Sequence, residues 1–136
     1  MRTSTSNLCL VTALFVAACG DPTAVSDGVL TVARQEHALQ LRNASMVPVY
    51  YMVVERQTLP RINWYACVEA PCSSVPAAGS VRVADSLIVG LSSAAHEAVV
   101  LWWKAVSDGR GGLRAGSIRG LVLPLLIRTR RRLTSA

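Results

Sequence analysis

The sequence predicts an all-β domain built as a sandwich of about seven short antiparallel strands. Three features indicate this fold class: short runs that alternate between apolar and polar residues, clusters of turn-forming residues between those runs, and no convincing amphipathic helical pattern. Short strands separated by turns at such intervals are typical of sandwiches and barrels. We expect the domain to extend over residues 29–127.

The first half of the domain carries the clearest strand patterns. Residues 29–32 form a short candidate strand, and residues 38–43 alternate strictly, with Leu39 and Leu41 on one face. After an Asn-Ala-Ser turn the chain returns as residues 47–55, which are apolar on both faces. Two apolar faces predict a central strand that is covered on both sides.

The middle of the domain is less regular. Residues 62–68 have the composition of a further strand, and residues 80–84 alternate again between apolar and polar side chains. Residues 85–95 are small and mixed in polarity, and we expect them to cross from one sheet to the other.

The last part of the domain predicts a hairpin. Residues 97–106 form the longest strand candidate, and residues 108–112 (DGRGG) tolerate the positive φ angles of a tight turn. The partner strand lies within residues 113–123, and Pro124 marks a strand end or a sheet edge because it lacks an N–H donor. Together these elements predict an immunoglobulin-like β-sandwich.

An apolar run precedes the domain. Residues 8–18 are eleven consecutive, mostly apolar residues, which follow a short polar start with Arg2 and end at Cys19. A positive start, a run of this length and small residues at its end are the parts of a secretory signal. A membrane-spanning helix requires about 20 apolar residues, so this run is too short to span a bilayer.

The end of that run, Val16-Ala17-Ala18-Cys19, resembles the lipobox of bacterial lipoproteins. The resemblance implies that the Cys19 thiol receives a diacylglyceryl group, that signal peptidase II cuts before Cys19, and that the new amine is acylated. It also implies a slight preference for the outer membrane, because Gly20 follows the cysteine where Asp would favour inner-membrane retention. Two alternatives remain open: a short buried segment with an incidental cysteine, and cleavage by the ordinary signal peptidase.

These features divide the chain into four parts. The predicted parts are a signal peptide (1–18), a lipidated cysteine with a flexible tether (19–28), the β-sandwich domain (29–127) and a basic disordered tail (128–136).

The charge of the chain is concentrated in that tail. Cleavage would remove Arg2 and leave 13 basic and 8 acidic side chains, and four of the basic ones are arginines of residues 128–132. Without them the count is 9 against 8, so the domain is close to neutral. We therefore expect a basic tail rather than a nucleic-acid-binding face.

The cysteines predict one disulfide. Cys9 would leave with the signal and Cys19 would carry lipid, so Cys67 and Cys72 remain as a pair in an exported protein, where disulfides persist. They lie too close in sequence to bridge two sheets, and the Cys…Trp…Cys spacing of true immunoglobulin domains is absent.

Catalysis has little support in the sequence. His37 and His96 are the only side chains that titrate near neutral pH unperturbed, and neither lies in a nucleophile motif. Metal binding would need three or four convergent ligands, which these histidines and the two cysteines would supply only by chance of folding. We therefore expect no enzyme activity, metal or cofactor.

Three tryptophans are the candidate binding residues. Trp102 and Trp103 are adjacent and must point to opposite faces of one strand, so one can fill the core while a loop covers the other or leaves it exposed. With Trp64 they either pack the domain or form an aromatic patch for a partner, since Trp and Tyr anchor many interfaces.

The sequence thus predicts a lipid-anchored protein of the bacterial cell envelope whose β-sandwich is a binding or structural module. Its expected partners are the membrane, through Cys19, and an envelope protein. The alternative is an inhibitor or accessory subunit that occupies an envelope enzyme through the Cys67–Cys72 loop.

Overall fold

The computed structural model describes residues 24–125, which form two four-stranded sheets and a two-stranded hairpin. Every strand pairing in these sheets is antiparallel. The predicted signal peptide, Cys19 and residues 128–136 lie outside the described residues. The prediction of an all-β, sandwich-like domain is confirmed.

Ten strands of two to seven residues make up the sheets. They are β1 (Ala24–Ser26), β2 (Leu30–Gln35), β3 (Ala38–Asn43), β4 (Val49–Glu55), β5 (Ser74–Val75), β6 (Ser80–Ala84), β7 (Glu97–Trp103), β8 (Ala105–Ser107), β9 (Leu113–Ala115) and β10 (Arg119–Pro124). Two single-turn 3-10 helices, Leu59–Arg61 and Asp85–Leu87, follow β4 and β6.

The strand order shows how the chain moves between the sheets. Sheet A has the order β1-β2-β3-β6, sheet B has the order β10-β7-β4-β5, and β8 pairs with β9. The chain therefore changes sheet from β3 to β4, from β5 to β6 and from β6 to β7. Residues 85–95 make the last of these crossings, as predicted.

The main core lies between the two sheets. Strict alternation directs one face of β2 and β3 inward, so Leu30, Val32, Leu39 and Leu41 are fully buried. They belong to one buried cluster with side chains of sheet B, among them Trp102. Removing this apolar surface from water is the main force that holds the sheets together. The predicted orientation of Leu39 and Leu41 is confirmed.

The outer face of sheet B carries a second, smaller core. Val54, Val99, Leu101 and Trp103 are buried there, under the segment that links β4 to β5. β4 is thus paired on both edges and covered on both faces, as its two apolar faces predicted.

The expected tether is partly wrong, because Ala24–Ser26 form strand β1 on the edge of sheet A. Val25 pairs with Val32 and packs against the core. Asp27 closes the turn after β1, since its Oδ1 accepts hydrogen bonds from the backbone N–H groups of residues 29 and 30, both at 3.0 Å. A single apolar residue in a polar stretch was too weak a signal for a strand.

The expected strand at residues 62–68 is also wrong. This segment is extended but lies across the face of sheet B, where it pairs with none of the described strands. Its alternation is nevertheless real, because every second side chain packs downward onto the sheet. The period-two pattern here reflects packing on a sheet rather than pairing within one.

The predicted hairpin of two long strands consists of four shorter strands. The long strand 97–106 breaks at Lys104 into β7 and β8, and its partner breaks into β9 and β10. The backbone N–H of Gly116 donates to the carbonyl of Lys104 at 2.8 Å, which joins the two parts of the hairpin. Pro124 ends β10 on the edge of sheet B, as its missing donor predicted.

Candidate binding surface

A cover segment, residues 56–73, crosses the outer face of sheet B between β4 and β5. Its side chains at 62, 64, 66 and 68 pack on the second core, and they are joined there by Leu59. The side chains between them point outward, and Tyr65 is 82% exposed. The segment therefore acts as a third layer with one face buried and the other displayed.

Trp103 is the buried side chain of sheet B against which the cover segment packs. It is 2% exposed, and its indole Nε1 donates a hydrogen bond to the carbonyl oxygen of Cys67 at 2.8 Å. The rings of Trp64 and Trp103 lie 6.1 Å apart between centroids and are tilted by 32°, a favourable separation for an aromatic pair. Both contacts tie the cover segment to β7.

The end of the cover segment is closed by a disulfide between Cys67 and Cys72, as predicted. Their Cα atoms lie 5.9 Å apart, within the range that a disulfide requires. Inside the loop the N–H of Cys72 donates to the carbonyl of Glu69 at 2.9 Å. The N–H of Tyr51 binds the carbonyl of Ser73, which attaches the loop to β4.

A shallow cavity of about 410 Å³ lies between this loop and the β8–β9 hairpin. Residues 65–71 line one side and Leu113, which is 54% exposed, lines the other. We call Tyr65, the loop 67–72 and Leu113 the candidate binding surface. It combines an exposed aromatic ring, an apolar side chain and a covalently closed loop.

Basic side chains lie on the neighbouring hairpin strands and turn. Arg110 and Arg114 belong to the β8–β9 hairpin. The carboxylate of Asp108 is occupied within its own turn, where Oδ1 accepts from the N–H groups of Arg110 and Gly112. These bonds hold the pKa of Asp108 below its usual range. Asp108 stays ionised, but the two arginines outnumber it, so the hairpin presents a positive edge beside the candidate binding surface, which itself includes the Glu69 carboxylate.

Of the two alternatives for the tryptophans, packing rather than an exposed patch describes Trp102 and Trp103. Trp102 is 3% exposed in the main core, where its Nε1 donates to Asp27 Oδ2 at 2.9 Å and the Arg119 guanidinium lies over its ring. Trp103 is buried on the opposite face under the cover segment, and Trp64 is half-buried there. The opposite orientation of the adjacent tryptophans is confirmed, but both serve packing.

Among residues 24–125, the aromatic side chain that is exposed is that of Tyr65, which was not among the candidate binding residues of the sequence. The signal that finds it is the alternation of residues 62–68. Once the even-numbered side chains are assigned to the sheet, Tyr65 must point away from it.

A second cavity, of about 440 Å³, opens at the other end of the sandwich. An ion pair lines it: both terminal nitrogens of the largely buried Arg34 donate to the carboxylate of Asp85, the second at 2.9 Å. These hydrogen bonds hold the pKa of Asp85 below its usual range. Ser92 and Ser93 line the rim. No nucleophile–base pair is formed by these residues.

The two histidines lie on the surface. His37 is in the β2–β3 turn, with its Nε2 at 3.7 Å from the carboxylate of Glu36, and His96 precedes β7. Among residues 24–125 no three His, Cys, Asp or Glu side chains converge as a metal site would require.

Within the described part of the chain, no helix has the length and apolar character needed to cross a bilayer. No protein-family model, curated protein or solved structure matches the chain.

Proposed function

We propose that this protein is a lipid-anchored component of the bacterial cell envelope whose sandwich binds another envelope protein through the candidate binding surface. The anchor in this proposal is lipid on Cys19, because the motif that ends at Cys19 resembles a lipobox. The outer membrane is slightly favoured. The Cys67–Cys72 disulfide supports export, because disulfides persist in oxidising compartments.

The observation that carries the proposal is the construction of the cover segment. A closed loop lies beside an exposed Tyr65, and both are held from below by Trp103. A surface that is already ordered loses little conformational entropy on binding, and tyrosine is enriched among the residues that dominate interface energy. The positive hairpin edge favours a partner with carboxylates, mainly by steering its approach.

The proposal includes an immunoglobulin-like arrangement of the sandwich. Greek-key crossings between two packed sheets are typical of that arrangement. The crossings from β3 to β4, β5 to β6 and β6 to β7 support it. In sheet A the strands β1, β2 and β3 are consecutive neighbours, an order that differs from the four-stranded A-B-E-D sheet of immunoglobulin constant domains.

In the second candidate function, the protein inhibits an envelope enzyme or is an accessory subunit of one. The disulfide-closed loop favours it, since a short closed loop can enter an enzyme groove with little loss of entropy. The two candidates differ in whether the captured partner has an active-site groove occupied by residues 67–72.

A photocrosslinking experiment in cells tests the binding surface. A photoreactive residue at Tyr65 should give a defined adduct, and the same residue at exposed Arg82 of β6 serves as the control on sheet A. We expect Leu113→Asp to abolish the Tyr65 adduct. The same adduct from both positions, or one insensitive to Leu113→Asp, would contradict the proposal.

A further inference from the structure

The two ends of the described chain lie at the same end of the sandwich. Ala24 pairs with Ala33, next to Arg34, and Arg34 and Leu125 line the same cavity. The backbone N–H of Leu125 also donates to the carbonyl of His96, just before β7. We call this end, with the β2–β3 turn and residues 91–96, the anchor pole.

The candidate binding surface lies at the opposite end. β7 runs from the anchor pole at Glu97 to Trp103, a rise of about 20 Å for six steps of a strand. The disulfide loop is attached to Trp103, and the β8–β9 hairpin continues beyond it. We call this end the distal pole.

The lipid-bearing residue is close to the anchor pole in sequence. Four residues separate Cys19 from Ala24, so their Cα atoms can lie no more than about 18 Å apart. The distal pole begins about 20 Å from the anchor pole. A lipid on Cys19 therefore keeps Ala24, and with it the anchor pole, within about 18 Å of the bilayer, while the distal pole is free to lie farther away.

Two carboxylates of the anchor pole are neutralised by arginines, while Glu36 in the β2–β3 turn is exposed. Asp85 is bound by Arg34, and Glu97 accepts from Arg56 at 2.7 Å. The carboxylate of Glu55 accepts hydrogen bonds from the backbone N–H groups of Gln57 and Thr58, which keep the pKa of Glu55 low. The two ion pairs carry no net charge, whereas the ionised Glu55 keeps its negative charge. Attraction to lipid phosphates must therefore come from the arginines that follow Leu125 in the sequence.

Two further features of this pole point to lipid. Leu91 on its rim is 37% exposed, and residues 126–132, which follow Leu125 in the sequence, contain two apolar side chains and four arginines. Each arginine near an anionic leaflet contributes about 1 kcal/mol of attraction.

We propose that the anchor pole rests on the lipid surface, so that the sandwich stands on the bilayer and presents the distal pole to its partner. This inference rests on the proposed lipid anchor at Cys19. It adds a fixed orientation, with one end of the domain at the headgroups and the candidate binding surface facing away.

Two matched serines test the orientation. Ser93 lies on the anchor pole, Ser107 lies on the β8–β9 hairpin, and both side chains are exposed. The variants Ser93→Cys and Ser107→Cys therefore place a thiol at each end of the domain. Each full-length variant is purified from membranes, labelled at the new thiol with an environment-sensitive fluorophore without reduction, and reconstituted into anionic vesicles with spin-labelled headgroups. We expect quenching at least threefold stronger at Ser93→Cys than at Ser107→Cys, relative to vesicles without spin label.

The outcomes separate the two proposals. Equal quenching at the two positions, or stronger quenching at Ser107→Cys, would overturn the orientation in a protein whose intact mass shows acyl chains. An intact mass without acyl chains would instead remove the anchor, and the orientation with it.

Discussion

At the scale of single residues, Trp103 has the largest structural role in the candidate site. It is buried under the cover segment and donates the hydrogen bond to Cys67. Trp103→Phe should leave that carbonyl without its donor, a loss of about 1–3 kcal/mol in the free energy of unfolding. Urea unfolding measures it. Half-buried Trp64→Phe is the matched control, and an equal loss in both variants would contradict the role assigned to Trp103.

Asp85 predicts a pH dependence of stability. Hydrogen bonds from Arg34 lower its pKa in the folded protein, so the pair stabilises the fold above about pH 4, the ordinary Asp value. This contribution is lost as the pH falls through the lowered pKa. Thermal unfolding between pH 6 and pH 2.5 should therefore show a steeper acid loss in the native protein than in Asp85→Asn.

The control for that measurement is Glu36→Gln, which removes an exposed carboxylate at the same end of the domain. It should follow the native pH profile. Parallel profiles for the native protein and Asp85→Asn would show that the ion pair contributes nothing to acid stability.

At the scale of elements, the disulfide loop makes a modest contribution to stability. Closing a loop this short stabilises a fold by about 2 kcal/mol in the chain-entropy model. Cys67→Ala should therefore lower the melting temperature without abolishing the fold, since Trp103 still holds the segment. Thiol labelling of the unfolded, unreduced mature protein should find no reactive cysteine, and two labelled thiols would contradict the bridge.

The elements predicted correctly are those in which pairing and burial coincide. β3 alternates because one of its two faces is turned toward the core, and β4 is apolar from Val49 to Val54 because both of its faces are covered. Residues 62–68 alternate for a different reason, packing across a sheet, and a single sequence does not distinguish the two. β1 escaped prediction because pairing with β2 and the Asp27 turn hold it, while its own side chains carry little apolar surface.

The candidate site was predictable only in part. The disulfide followed from counting the cysteines of a chain predicted to be exported, and the opposite orientation of Trp102 and Trp103 followed from strand geometry. Leu113 lies beside the disulfide loop because the hairpin is interrupted between β7 and β8 and between β9 and β10. The position of this interruption was not predictable from the sequence. Contacts between segments that lie about 40 residues apart leave no local pattern.

At the scale of the whole molecule, the basic tail is expected to hold the domain upright on the membrane rather than to anchor it. A soluble form without residues 1–19 should bind anionic vesicles at low salt more strongly than the same form without residues 128–136. The difference should disappear at high salt, because screening shortens the range of the arginine charges. Equal vesicle binding by the two forms would leave the tail without a membrane role.

The intact mass of the mature protein extracted from membranes tests the lipid anchor most directly. We expect a chain that begins at Cys19 and carries acyl chains, and we expect Cys19→Ser to remain unprocessed or to leave the detergent phase. A native mature protein that carries no acyl chain on Cys19 would contradict the central claim that this sandwich is held on a membrane by lipid.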